Sequence, residues 1–247
     1  MEEIYLWMLV SIALGGAGFF IAFTKAMKER NRVLDSLPSE TTESILEGEH
    51  TPRLELYGPT FVFMMITVPA FMYTVIGSIL ISNFGVISDV HLKVAIGGLL
   101  ALGLSSFFAN TGRYFIYREV MEGLNERDSG SKKDFGKYMI FLVHFETPAI
   151  FGLVVFIYGI IFSGILDGET VISMHAADMY FLGTLLFGLT TASTILSGWL
   201  FNKVDGPVDE DNKVFSKKIL NIAIPQITFV MGLALAVYLM IEGGMIV

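Results

Sequence analysis

One acidic residue of the chain's 24 stands well inside a long apolar run: Glu146, in His144-Phe-Glu-Thr-Pro-Ala-Ile-Phe-Gly152. A carboxylate surrounded by hydrocarbon is costly unless it is protonated, paired or bound to a cation, so its presence asks for a function. The chemistry it offers is reversible uptake of a proton or a small cation. A neutral, hydrogen-bonded acid that only ties helices together is the structural alternative. An offset of 80 residues sets Gln226 opposite Glu146, and the corresponding place nearer the N-terminus is Thr67 or Val68. Pro69, Pro148 and Pro225 lie close to these positions. Each proline removes a backbone donor and frees the carbonyl four residues earlier, that of Met65, His144 or Asn221. A kink is the default outcome, and freed carbonyls beside an acid can also serve as oxygen ligands. His144, two residues from Glu146, points to nearly the opposite side of a helix. His50, His91 and His175 lie in or near loops, so no second mid-helix histidine is available to form a haem pair.

The elements that must position Glu146 are helices in a lipid setting. The 247 residues are 53% hydrophobic and only 16% charged, against roughly a quarter charged in soluble domains. Runs long enough to cross a bilayer core of roughly 30 Å occur near 4–24, 56–82, 92–117, 138–164, 177–201 and 219–241. The expected fold is all-α, with six transmembrane helices and no soluble domain large enough for an ATP-hydrolysing site. Glu2 and Glu3 stand where a signal peptide would be basic, so the first run is read as a helix. The chain has no cysteine, which excludes disulfides and thiolate-held metals. Fifteen of its sixteen Lys and Arg residues lie at or between helices one and two, three and four, or five and six, Lys93 being the exception. By the positive-inside rule those loops are cytoplasmic and both termini face outward. The acidic stretches Glu40–Glu55 and Asp205–Asp211 read as solvated loops.

The chain also repeats itself. An offset of 88 matches Leu14-Gly15, Phe19-Phe20 and Lys25 with Leu102-Gly103, Phe107-Phe108 and Arg113, and a further 85 carries Gly98, Gly103 and Leu104 to Gly183, Gly188 and Leu189. An offset of 80 matches Phe135, Lys137, Gly152, Leu153 and Tyr158 with Phe215, Lys217, Gly232, Leu233 and Tyr238 without a gap. Three tandem parallel hairpins follow: residues 1–83 without a membrane carboxylate, 84–168 with Glu146, and 169–247 with Gln226 in its place. Repeats of one orientation differ from the inverted repeats of many transporters. The odd helices are rich in small residues, which in lipid let helix backbones approach closely. Three hairpins complete little of a rounded bundle, whereas several copies could close a ring.

The segment Glu146-Thr-Pro-Ala-Ile-Phe-Gly-Leu-Val154 resembles the outer-helix centre of the rotor-ring proteolipids, the c or K subunits of V/A-type rotary ATPases, and Pro225-Gln226 with Gly232-Leu233 resembles the same site with its acid neutralised. The glycine ladder is sparser than the family's, and the loops at 28–55 and 118–137 are longer. The resemblance implies a homo-oligomeric ring in which Glu146 carries one proton or sodium ion through lipid, a stator subunit whose membrane arginine helps discharge it, and central-stalk subunits meeting the cytoplasmic loops. One acid per six helices implies few ions per turn, which suits an ATP-driven pump. Sodium would need further oxygens, for which Thr147, Gln226, Thr228, Asn110 and Thr111 stand on the same or equivalent helices. The polar set forms no evident cage, which leans the expectation toward protons. The rival expectations are a small ion channel or transporter subunit, with its pathway past Glu146, and a non-transporting scaffold subunit of a larger membrane complex.

Overall fold

The computed structural model describes residues 2–35, 54–120, 135–206, 208 and 212–246. Among these, the main helices are α1 (Glu2–Asp35), α2 (Leu54–Phe84), α3 (Asp89–Tyr114), α4 (Phe135–Ser163), α5 (Met174–Thr190), α6 (Ser193–Phe201) and α7 (Asn212–Glu242), and there is no strand. Six helical spans are long and apolar enough to cross a membrane, with α5 and α6 together forming the fifth. The long loops expected at 28–55 and 118–137 fall largely outside the described residues.

The short connections have local causes. Gly85 ends α2 in the left-handed region at φ +78°, which costs glycine little. Ser88 then caps α3 by accepting from the His91 amide, and Ser173 caps α5 by accepting from the Ala176 amide. The fifth apolar run, expected as one helix over 177–201, is instead broken at Thr191 and Ala192. The reason is a cluster of hydroxyls that compete for helix carbonyls: Thr190 donates to Phe187 O, Thr191 to Gly188 O and Thr194 to Thr191 O. Such back-bonding bends helices. Thr194 also donates to Phe108 O of α3 at 2.9 Å, which fastens the bend to its neighbour.

Helix α3 is the centre of the molecule and is buried along most of its length, packing against α1, α2, α4, α5 and α6. Helices α1, α3 and α5–α6 lie side by side and run parallel. Gly18 approaches the Phe107 backbone and Gly103 the Ser11 backbone, so the facing residues of α1 and α3 are 89 and 92 apart. Gly97 meets Thr184, Phe108 accepts from Thr194 and Gly112 meets Gly198, separations of 87, 86 and 86. Helix α2 packs on α1, α4 on α3, and α7 on α5 and α6, while α4 also touches both α2 and α7. These pairs are antiparallel: Gly15 faces Thr74, Gly112 faces Phe145 while Gly152 faces Ser105, and Gly183 faces Ala236 while Gly243 faces Ala176. Two apolar clusters fill the interior. One centres on Leu99, Leu102, Phe156 and Tyr180, the other on Tyr117, Phe141, Phe145 and Phe201. Ala70, Ala109 and Ala149 form a small layer of their own with Tyr73.

Candidate functional site

The antiparallel register of α3 and α4 decides what Glu146 meets. Gly112 lies against Phe145 and Ser105 against Gly152, a register that leaves Arg113 about two residues, or roughly 3 Å, from the level of Glu146, a gap its long side chain bridges. Arg113 is in the last turn of α3, yet it is fully buried, because the chain continues past it through Ile116, Tyr117 and Val120, all buried. Glu146 is 8% exposed and lies roughly 13 Å along α4 from Lys137, at 1.5 Å per residue. Arg113 Nη2 donates to Glu146 Oε2 in an ion pair, and Arg113 Nη1 donates to Asn110 Oδ1 at 2.6 Å. Asn110 is three residues before Arg113 and so shares its helix face. A charge-assisted pair of this kind removes the net charge from the apolar interior without an external ion. Glu146 Oε1 and Asn110 Nδ2 are buried without a hydrogen-bond partner.

Each helix-forming proline sits within a continuous helix, and one freed carbonyl is accounted for. Pro148 frees His144 O, and Gln226 Nε2 of α7 donates to that oxygen at 3.2 Å. Gln226 therefore caps the break that Pro148 makes, and the oxygen that sequence reasoning offered to a cation is already engaged. Thr67, one of the two positions in α2 that correspond to Glu146, is also buried, and its hydroxyl lies 2.9 Å from that of Tyr117. Thr67, Glu146 and Gln226 thus each place a buried polar group between helices.

The remaining expected oxygens are not gathered around the carboxylate. Thr147 donates to Val143 O and Thr111 to Phe107 O, each within its own helix, and Thr228 is exposed on α7. Asn110 alone among them joins the site, through Arg113. His144 Nδ1 lies 2.9 Å from Ile140 O of its own helix. No group of three or more His, Cys, Asp or Glu suited to a metal ion occurs among the described residues. Arg113 is the participant that sequence reasoning missed. Its match to Lys25 made it look like a charge ending a span at the membrane edge. No spacing in the sequence alone marks the pairing: Arg113 lies one residue from the end of α3 and Glu146 eleven from the start of α4, and the contact emerges only when the helices are packed.

Comparisons with protein-family models, curated proteins and solved structures find no match.

Proposed function

We propose that this chain is a membrane subunit of the rotor-ring kind, built of three tandem parallel hairpins, in which Glu146 exchanges a proton or sodium ion. The observation that carries it is the parallel row of α1, α3 and α5–α6. Their facing residues are separated by nearly the offsets, 88 and 85, at which the sequence repeats, so equivalent residues of successive hairpins sit side by side. Helices α2, α4 and α7 pack on that row, as the outer helices of a ring sector would, and Thr67, Glu146 and Gln226 are all buried on them. The abundant exposed apolar side chains, among them Leu9, Ile76, Ile157, Leu189 and Met231, suit a surface in lipid or against further copies. Three hairpins of one chain would supply one carboxylate, and a homo-oligomeric ring would place several in the path of a stator arginine.

A non-transporting scaffold subunit is the second reading, favoured by the pairing of Glu146 with Arg113. A guanidinium in the same chain neutralises the carboxylate with no carried ion. Replacing Glu146 by Gln in the producing cells separates the two. The rotor reading expects ATP-driven ion uptake by membrane vesicles to fall to background, while a scaffold leaves uptake per assembled complex unchanged.

A further inference from the structure

We infer that Arg113 is the resident cation of the Glu146 site, a tethered counter-ion that an incoming proton or sodium ion must displace before the site can load. The inference deepens the ion-exchange reading above and rests on it. Three observations place the guanidinium in that role. It reaches the carboxylate through Nη2 from a helix that packs directly on α4, and its Nη1 donates to Asn110 Oδ1. It is wholly buried, so the pair is shielded from water, whose dielectric would otherwise weaken it. Finally, Glu146 Oε1 is buried with no hydrogen-bond partner, a carboxylate oxygen still able to accept a proton or ligate a cation.

The surrounding groups fit displacement rather than a second fixed ligand set. Removing the guanidinium would leave Glu146 Oε1 and Oε2 with Asn110 Oδ1. These three oxygens, from the two residues that now hold Arg113, could receive a proton or a small monovalent cation. A side chain as long as arginine can withdraw while its backbone stays fixed, because three methylenes separate the charge from Cα. In exchange the carboxylate passes from the guanidinium to the incoming cation. An arginine presented by a stator would have to compete with one already in place.

Carbodiimide labelling of the purified full-length chain in mild detergent tests this, since the reagent attacks protonated carboxyls sheltered from water. Mass spectrometry of the Glu146 peptide should show slow labelling of the wild type, similarly slow labelling of Arg113→Lys, and labelling faster by about tenfold or more in Arg113→Met, the change expected when an opposite charge at ion-pair distance is removed. Sodium chloride that suppresses the faster labelling, where choline chloride does not, identifies a sodium site; labelling insensitive to both identifies a proton site. Wild-type labelling as fast as that of Arg113→Met overturns the inference. Should Arg113→Met fail to fold, the infrared difference between wild type and Glu146→Gln decides instead. No protonated-carboxyl band lost on substitution supports the pair, and such a band in the wild type contradicts it. Slow wild-type labelling in a chain that forms no ring would sink the rotor reading and keep the counter-ion. Fast wild-type labelling in a ring that moves ions would do the reverse.

Discussion

Glu146→Ala should destabilise the folded chain by about 3–5 kcal/mol, whereas the double variant Arg113→Met with Glu146→Leu should return to within about 2 kcal/mol of the wild type. The asymmetry follows from what each change leaves behind. Truncating Glu146 strands the fully buried Arg113 opposite an apolar hole, with Asn110 as its neutral partner. Replacing both charges by apolar side chains of comparable volume removes the desolvation cost together with the attraction. The residual penalty is Asn110, whose carbonyl oxygen loses its charged donor, a loss worth roughly 1–3 kcal/mol for a buried acceptor. Denaturant titration in detergent, followed by tryptophan fluorescence, measures both. A single variant within about 1 kcal/mol of wild type would mean that the pair does not hold the charge in place.

The second large effect is steric. A Cβ on Gly198 would come 2.4 Å from Gly112 O and 3.0 Å from Phe115 Cβ, and a backbone carbonyl cannot turn aside as a side-chain tip can. Gly198→Leu therefore has to push α6 off α3, at about 1–3 kcal/mol or more for overpacking. It also breaks the Thr194 bond to Phe108 O and shifts the turn of α3 that carries Arg113. Leu196→Ala, two residues away but on the exposed face of α6, should stay within about 0.5 kcal/mol of wild type. Equal melting temperatures for the two variants would refute the close packing of the parallel helices.

The six apolar helices were legible because a span is a property of composition and length, and Lys137–Ser163 or Asn212–Glu242 announces itself over about 30 residues. Repeat offsets of 88, 85 and 80 were legible for the same reason, as patterns of glycine and aromatic residues along one strand of text. What stayed hidden depended on register between helices. Arg113 reads as the end of a span until α4 is laid against α3, and only then does it lie beside Glu146. Gln226 reads as a lost acid, yet its amide answers the carbonyl that Pro148 frees on another helix. The break at Thr191 was masked because threonine keeps a segment moderately apolar while its hydroxyl competes for the helix carbonyls. Thr147 and Thr111 were offered as ligands by position, but a hydroxyl inside an apolar helix finds its own i−4 carbonyl first.

The central claim is that this chain is a sector of a closed assembly, its parallel helices α1, α3 and α5–α6 continuing those of the next copy. Single-particle imaging of the chain purified in mild detergent tests it directly. The account predicts closed rings of several copies with those helices innermost and α2, α4 and α7 outside; a population of monomers or two-fold dimers would contradict it.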